Sequence, residues 1–333
     1  MEETRKWRWG VNRWFVFLFV ILGVLAAKAF PPILPHVQLP AEELAGPITL
    51  PLVGEIYLTN TIVATLIVDL IVLLLAFAVH RAIRSGELVF RGVVGAIQTV
   101  LEALYGLAET TAGKWAKQFF PWMASIVLIV LMANWMELIP GVDSIGEVHG
   151  VQHEGYPIQE LGQFGNLSII TIVKQSTQAA AASTSGSYSI VPFVRVVSTD
   201  LNFTVALALT VVVMVQVYGS RALGLSYFKK FINVKPIFSK PIFGVIDFAV
   251  GLLEIVSEIS RIISFSFRLF GNIFAGSILL FVIGSLVPVF AQTIFLALEF
   301  GVGLIQAIVF GMLAMIFMAQ ATAGHGDEAH EGA

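Results

Sequence analysis

Long apolar stretches recur along the whole chain and predict helices that cross a membrane. A crossing helix needs about 20 predominantly apolar residues, and each of these stretches is long enough. They lie at about 57–79, 119–139, 201–219, 241–287 and 291–321. Segments of alternating polarity, which an outer-membrane barrel would require, are not evident. The pattern predicts an all-α polytopic membrane protein.

Segment 92–117 has a mixed pattern, in which apolar residues recur at helical spacing and polar residues occupy the opposite face. The apolar positions are Val93, Ile97, Leu101, Leu104 and Leu107, and the polar ones are Gln98, Glu102 and Glu109. This arrangement predicts an amphipathic helix that lies along the membrane surface. The alternative is a spanning helix of low hydrophobicity.

The N-terminal segment 1–29 joins a basic start to an apolar run, "WFVFLFVILGVLAA". Two interpretations of this segment remain open. Ala27, Lys28 and Ala29 fit the small-x-small cleavage site of a signal peptide. The same segment is also apolar enough to serve as a retained extra span.

Two connections between the apolar segments are predicted to be loops on the outer side of the membrane. Residues 30–55 are rich in Pro, contain acidic residues and have no Lys or Arg. Residues 141–198 are polar and include "QAAAASTSGSYS", a small-residue tract that we predict to be flexible. Membrane helices then occupy 56–140 and 199–322, and 323–333 form a short tail.

The distribution of Lys and Arg predicts the orientation of the chain. On this topology, fourteen of the nineteen basic residues lie on one side, within 5–13, 81–117 and 221–240. That side is predicted to be the cytoplasm, and it also holds the C-terminal tail. The remaining basic residues are Lys28, Lys174 and Arg195 on the opposite side and Arg261 and Arg268 within a span.

Composition narrows the class of function. The chain is 57% hydrophobic and 12% charged, whereas a soluble domain is about 25% charged. It has no Cys, so disulfides, thiolate metal sites and Cys nucleophiles are excluded. Neither GxxxxGKS/T nor GxGxxG occurs, so no nucleotide site is visible. His149 and His153 have no evident third ligand, and we predict no metal site and no cofactor.

A stripe of polar side chains runs along segment 241–287. Six residues, separated by 7, 4, 3, 7 and 4 positions, fall within roughly 80° of one another on a helix. They are Asp247, Glu254, Glu258, Arg261, Arg268 and Asn272. Charge inside a membrane is costly, so such groups usually face protein or water. The stripe therefore predicts a wet or protein-covered groove along this helix.

The two arginines of the stripe differ in their local partners. Arg261 has Glu258 three residues before it and Glu254 two turns before it, which favours a structural salt bridge. No acid stands three or four residues from Arg268, whose guanidinium stays protonated. Those positions hold Ser264, Phe265, Gly271 and Asn272. The partner of Arg268 must come from elsewhere in this chain or from another protein.

The length of segment 241–287 predicts a strong tilt. A continuous helix of about 47 residues would be roughly 70 Å long, and the hydrocarbon layer is roughly 30 Å thick. No Pro occurs between Pro241 and Pro288, so we expect a tilt rather than a break. Segment 291–321 is also over-long, and the two segments are predicted to form an oblique hairpin.

The second arm of this hairpin carries its own polar stripe. Its members recur at intervals of seven residues and are Gln292, Glu299 and Gln306. Chain direction places Glu299 on the outer half of the membrane and Glu254 and Glu258 on the inner half, with Arg268 between them. Two acid-lined half paths with a fixed positive charge between them suit vectorial proton movement and do not suit an open pore.

These residues resemble a known family. "SFRLFGNIFAG" is similar to the signature of subunit a of F-type rotary ATP synthases, and "GLLEIVSEISRIISFSFRLFGN" resembles its whole penultimate helix. "LIQAIVFGMLAMIF" resembles its last helix, "STDLNFTVALAL" an earlier helix start and "NWMELIPG" the end of the helix before. Together these motifs cover most of 119–320, and leave 1–55 and 141–198 without a match.

The resemblance implies a role for each matching residue. Arg268 would be the essential arginine that faces the ion-carrying carboxylate of the rotating c-ring. Asn272 and Gln306 would be polar groups beside it, and Ser264 would be the serine one turn before it. Glu254 would be the acid of the cytoplasmic half channel.

The chain departs from the family pattern in the outer half channel. The family often divides an acid and a His between the positions held here by Ser277 and Glu299. Glu299 supplies the acid alone, which leaves the outer path one titratable group short. We expect either water or Glu137, at the end of a span, to take the place of that group.

The resemblance also implies partners and a location. The expected partners are the c-ring of proteolipid subunits, the peripheral stalk subunit b, the remainder of the ATP synthase and the lipid bilayer, without nucleic acid. The expected location is the bacterial inner membrane, and the chain would not be an enzyme by itself. Two other classes of protein compete with this one. Broken helices and paired repeats would favour a secondary transporter with a midplane ion site. A structural scaffold would not explain Arg268.

Overall fold

The computed structural model describes most of the chain. The described residues are 9–29, 39–51, 54–84, 86, 90–139, 141–150, 156–164, 167–172, 184–231, 241–287 and 290–323. Some predicted features lie outside them, namely most of the tail 323–333, residues 173–183 of the long outer connection, His153 and the side chain of Asp247.

Helices dominate the described residues, which confirms the predicted all-α membrane class. The described part contains seven α-helices: α1 (Trp9–Ala29), α2 (Asn60–Arg84), α3 (Gly92–Ala112), α4 (Ala116–Trp135), α5 (Leu201–Leu223), α6 (Pro241–Leu286) and α7 (Phe290–Thr322). Five helical stretches of the described residues are long and apolar enough to cross a membrane: Asn60–Arg84, Gly92–Leu138, Leu201–Leu223, Phe248–Leu286 and Ala291–Thr322. The apolar part of α1, Arg13–Leu25, is shorter.

The chain divides into two compact units. The first unit comprises Met1–Asn60, Glu137–Arg195 and Phe274–Val302, and the second comprises Thr61–Met136, Val196–Ile273 and Gly303–Ala333. Both α6 and α7 contribute residues to each unit. Each unit has its own polar groups.

The first unit contains two antiparallel sheets. The first sheet pairs β1 with β2, and the second has the order β3-β6-β4-β5. The strands are β1 (Glu43–Leu50), β2 (Gly54–Thr59), β3 (Gly146–Gly150), β4 (Tyr156–Phe164), β5 (Leu167–Ile172) and β6 (Thr184–Pro192).

These strands correct the sequence analysis, which predicts loops for 30–55 and for 141–198. The strands are short, so the alternation of polar and apolar residues along them is hard to distinguish from the sequence of a polar loop. Their pairing also joins residues that are far apart in sequence, such as Tyr156 with Tyr188, which a local pattern does not reveal. That both connections lie outside the membrane stays a prediction.

The second unit has a core of helix-packing side chains from α3 to α7. The rings of Phe119 in α4 and Tyr218 in α5 meet edge to face, with centroids 4.9 Å apart. Phe265 of α6 meets Phe310 of α7 in the same way at 4.8 Å, an arrangement that aromatic quadrupoles favour. The second of these contacts packs α6 against α7.

Buried polar pairs also join the helices of the second unit. Thr61 donates its hydroxyl hydrogen to Asp200 at 2.7 Å, which links the start of α2 to the N-cap of α5. Ser198 donates to the Asn134 side-chain oxygen at 2.6 Å, and Asn134 donates to the Gly303 carbonyl of α7 at 3.2 Å. Each bond satisfies a polar group that would otherwise be buried without a partner.

Segment 92–117 is not a single helix. α3 ends at Ala112, a 3-10 turn follows at Gly113–Trp115, and α4 begins at Ala116. Gly113 has φ +50, a left-handed conformation that glycine adopts without strain. The turn brings Tyr105 of α3 within 5.0 Å of Phe120 of α4, measured between ring centroids. The predicted position of α3 along the membrane surface stays a prediction.

Helix α6 runs without a break for 46 residues, and α7 runs for 33. The continuity that the sequence predicts for segment 241–287 is therefore confirmed. At 1.5 Å per residue, α6 is about 69 Å long, roughly twice the thickness of the hydrocarbon layer. Within the second unit α6 and α7 are antiparallel, because Asn272 contacts Gln306 and Arg261 contacts Phe317. The tilt in the membrane stays a prediction.

Candidate functional site

The guanidinium of Arg268 lies on an exposed face of α6, in the second unit. Its Nη2 donates to the hydroxyl of Ser264 across 3.4 Å, which is long for a hydrogen bond. Arg268 forms no ion pair with any residue that the structure describes. A guanidinium inside a membrane is costly without a partner. The guanidinium of Arg268 is exposed, with the Ser264 hydroxyl as its polar contact among the described residues.

Arg261, two turns earlier, is engaged within the chain. Its Nη1 lies 3.1 Å and 3.0 Å from the two carboxylate oxygens of Glu258. Its Cζ lies 4.1 Å from the ring centroid of Phe317 on α7, a distance that permits a cation–π interaction. The structural pair expected for Arg261 is thus present. We refer to Glu258, Arg261 and Phe317 together as the Arg261 anchor.

The amides of Asn272 and Gln306 form a polar contact between α6 and α7. Asn272 donates to the Gln306 oxygen at 2.9 Å. Gln306 is only 5% exposed, and its Nε2 has no hydrogen-bond partner among the described residues. An amide hydrogen buried in this way costs free energy until it finds an acceptor. The pair therefore offers a donor one turn beyond Arg268.

In the first unit, three predicted residues come together at the end of the α4 span. The Ser277 hydroxyl is a hydrogen-bond donor to the Glu137 carboxyl group, and the Glu299 carboxyl group is close enough to act on Glu137 electrostatically. Glu299 is 6% exposed. Glu137 Oε1 and Glu299 Oε2 are buried without a hydrogen-bond partner among the described residues. Two carboxyl groups and a hydroxyl in one cluster are groups that can relay a proton.

Gly276 makes room for Glu299, a function that the sequence analysis did not predict. A Cβ at this position would lie 2.6 Å from Glu299 Oε2 and closer still to Oε1. A Cβ at this position would displace the Glu299 carboxyl group, the flexible end of that side chain, from its place against α6. The signal in the sequence was a glycine inside an apolar helix next to Ser277.

Gly276→Ala is expected to destabilise the first unit, because the new methyl group displaces the Glu299 carboxyl group. The atoms in the way are the end of a flexible side chain and can shift, so we expect a cost at the low end of the roughly 1–3 kcal/mol typical of overpacking. The matched control is Gly301→Ala on α7, where a Cβ meets nothing within 4 Å. The check is the thermal unfolding midpoint of the purified protein in detergent. We expect a lower midpoint for Gly276→Ala alone, and equal midpoints for the two variants would contradict the packing argument.

Asp143 and Arg195 extend the first unit's polar cluster beyond the α4 span, and the sequence analysis did not select them for a site. Burial raises the pKa of the Asp143 carboxyl group to about 6, and the nearby Arg195 guanidinium opposes part of this rise. Asp143 also acts electrostatically on Glu137. Arg195 Nη1 donates to the carbonyl of Pro40 at 3.0 Å. The cluster therefore reaches the segment that precedes β1 and the segment that follows β6.

The structure thus assembles the predicted site residues into two groups. The group of the second unit comprises Glu258, Ser264, Arg268, Asn272 and Gln306, with Glu254 half-buried one turn before Glu258. The group of the first unit comprises Glu137, Ser277 and Glu299. Each group contains side chains that can accept or donate protons within a helical membrane protein.

These features define the class: a multi-pass helical membrane protein with charged groups inside its spans, as ion translocation requires. Comparison with known proteins identifies the family. The ATP synthase A chain family matches residues 62–319, and the chain belongs to it. It is therefore a proton-translocating membrane component of ATP synthase, and the resemblance seen in the sequence is confirmed.

Individual relatives agree with this family. Subunit a of ATP synthase from Moorella thermoacetica is 26% identical over 273 residues, which cover 82% of this chain and 94% of the relative. Subunit a from Campylobacter fetus is 28% identical over 265 residues, covering 79% and 89%. Subunit a 1 from Photobacterium profundum is 38% identical over 136 residues, covering 39% and 50%.

Proposed function

We propose that this chain is the stationary subunit beside a rotating ring of proteolipid subunits, and that Arg268 receives the ring carboxylates in turn. The observation that carries this proposal is an exposed guanidinium in a membrane span without an ion pair among the described residues. Its positive charge needs an anion from another molecule. A carboxylate that moves past Arg268 on a ring would supply one.

The exposed face around Arg268 supports a close approach by another helix. Ser257, Ser264 and Ala275 are exposed, and they lie within about 40° of Arg268 around the axis of α6. Small residues at a helix surface in a membrane let a second backbone come near. A ring helix that packs on this face would bring its carboxylate within reach of the guanidinium.

Electrostatics then gives the proton steps a direction. A ring carboxyl group in lipid holds its proton, because the ionised form is poorly solvated there. Opposite Arg268 the ionised form is favoured, since opposite charges attract. The proton therefore leaves as the group nears Arg268, and a new proton binds after the group has passed. One charge moved through the membrane potential yields roughly 2.3 kcal/mol per 100 mV.

The two groups of polar residues supply the half channels in this proposal. Glu258 uses both of its carboxylate oxygens on Arg261, so we assign the inner proton step to Glu254. We assign the outer path to Glu137, Ser277 and Glu299, whose carboxyl and hydroxyl groups interact. In the outer path the family often has two titratable groups on the last two helices, where this chain has only Glu299. In this proposal Glu137 takes the place of the second group.

The remaining parts of the proposal concern the assembly. The chain joins the peripheral stalk subunit b and the rest of the ATP synthase, and it has no enzymatic activity by itself. It lies in the bacterial inner membrane with its C-terminus in the cytoplasm. The distribution of Lys and Arg supports this orientation.

Cross-linking tests the contact between the Arg268 face and the ring. The chain has no native Cys, so a single introduced Cys reports on one position. We expect Ala275→Cys to yield an adduct between this chain and one proteolipid subunit when membranes are treated with a short thiol-to-amine or photoactivated reagent. The matched control is Ile263→Cys, which is 52% exposed but lies about 140° from Arg268 on the helix. Equal yields of the adduct at both positions would contradict the proposed face.

A further inference from the structure

Asp143 and Arg195 lie close together just beyond one end of the second sheet. β3 and β6 are antiparallel, with Gly146 opposite Pro192. The pairing continues one step beyond the strands, since the Phe193 amide donates to the Ile145 carbonyl at 3.0 Å. Beyond this bond the chain leaves the ladder, because Val142–Ser144 form a 3-10 turn that contacts β6. Arg195 follows the end of β6 by three residues. The electrostatic effect of Arg195 on Asp143 agrees with this placement.

Asp143 is also close to the outer proton path. It belongs to a 3-10 turn, Val142–Ser144, that follows the turn containing Glu137. The turn begins after Gly141, whose φ is +97, a conformation that reverses the chain without strain only at glycine. Asp143 is half-buried and acts electrostatically on Glu137. It therefore stands between the polar outer connection and the buried carboxyl groups.

Arg195 is held in place from a second direction. Its Nη1 donates to the carbonyl oxygen of Pro40 at 3.0 Å, in the connection that precedes β1. An arginine that is anchored to backbone keeps its charge at a fixed position. Arg195 thus acts electrostatically on Asp143. Asp143 and Glu299 in turn both act on Glu137.

We propose that Asp143 is the proton-collecting residue at the mouth of the outer half channel, and that Arg195 is the positioning residue that sets its proton affinity. This inference rests on the proposed function. The Asp143 carboxylate takes a proton from the outer medium, passes it toward Glu137 and returns to its ionised form. The proton is the only species transferred, and the water of the medium is its source.

The physical advantage of such a residue depends on pH. Burial raises the pKa of Asp143 to about 6, so the group is partly protonated near neutral pH and mostly protonated below pH 6. Free protons are scarce at neutral pH, on the order of 10⁻⁷ M, and a carboxyl group with this affinity collects them where an ordinary surface aspartate would be ionised. At an outer pH near 5, protons are abundant and the collecting step is no longer limiting.

The test is ATP synthesis by the whole complex in inverted membrane vesicles, whose interior corresponds to the outer face. The interior pH is set between 5 and 8 while a potassium gradient with valinomycin supplies the driving force. We expect Asp143→Asn to match the wild type at pH 5 and to reduce synthesis about a hundredfold at pH 7.5. That factor corresponds to the rise of the Asp143 pKa from 3.8 to about 6, at tenfold per unit. Arg195→Gln is expected to move the pH dependence to higher pH, because it removes the charge that lowers the pKa of Asp143.

The controls separate proton collection from structure. Glu147→Gln removes an exposed acid of β3 and is expected to leave the pH profile unchanged, and Arg195→Lys keeps the charge and restores the wild-type profile. If Asp143→Asn has the same profile as Glu147→Gln, or lowers the rate equally at every pH, the collecting role is wrong. If Asp143→Asn gives either of these results while Arg268→Ala abolishes synthesis, this inference alone is overturned and the proposed function stands.

Discussion

Arg268→Ala is expected to reduce proton-driven ATP synthesis about a thousandfold while the complex still assembles. Two unit charges about 4 Å apart attract by about 4 kcal/mol at an effective dielectric constant of about 20. Each 1.36 kcal/mol is a factor of ten, so the lost attraction corresponds to about three orders of magnitude. Without it, the ring carboxyl group has no position at which it readily releases its proton.

The measurement for Arg268→Ala is the rate of ATP synthesis in energised membrane vesicles, normalised to the amount of assembled complex. The assembled amount comes from copurification of this chain with its partner subunits. Arg261→Ala is the matched control, since Arg261 is engaged with Glu258 and Phe317. We expect Arg261→Ala to lower the thermal stability of the chain and to leave more synthesis per assembled complex than Arg268→Ala does. Normal synthesis in Arg268→Ala would rule out the proposed role.

The double variant Glu137→Gln with Glu299→Gln is expected to reduce proton translocation about a hundredfold, the lower end of what a general acid–base group contributes. Glu299→Gln alone is expected to slow translocation about tenfold without abolishing it, because Glu137 and Ser277 still interact and keep part of the relay. The glutamine side chain fills nearly the same volume but does not titrate. The two effects should therefore report on proton transfer rather than on packing.

The measurement for these variants is ATP-driven proton pumping, followed by quenching of a pH-sensitive fluorophore. Glu160→Gln provides a matched control, because Glu160 is an exposed acid of β4 in the same unit. We expect its pumping rate to equal that of the wild type. An unchanged rate in Glu299→Gln would show that the outer path lies elsewhere. A double variant that pumps as fast as Glu299→Gln alone would show that Glu137 takes no part in the relay.

The helical part of the fold was predictable because its signals are local. The membrane spans follow from runs of apolar residues, and the unbroken α6 follows from the absence of Pro between Pro241 and Pro288. The pairing of Arg261 was also visible, since Glu258 precedes it by three residues on the same helix. In each case one short stretch of chain contains both the cause and the structure.

The parts that were not predicted depend on residues that are distant in sequence. Asp143 and Arg195 interact because the pairing of β3 with β6 brings their two segments together, and no property of either segment alone indicates it. The need for Gly276 arises from the carboxyl group of Glu299 on another helix. Only the structure brings such groups together, because the sequence gives their types but not their distances.

The Arg261 anchor has a mechanical consequence for the proposed motor. Every step of the ring exerts a sideways force on the residue that attracts it, and an equal reaction must be absorbed by the stationary side. Arg268 stands seven residues from Arg261 on the same unbroken helix, about 10.5 Å along its axis. Because Arg261 is tied to Glu258 and stacked on Phe317 of the neighbouring helix, α6 resists twisting close to the point of load. In the proposed motor, the Arg261 anchor would supply stiffness on the stationary side, close to the residue that attracts the ring.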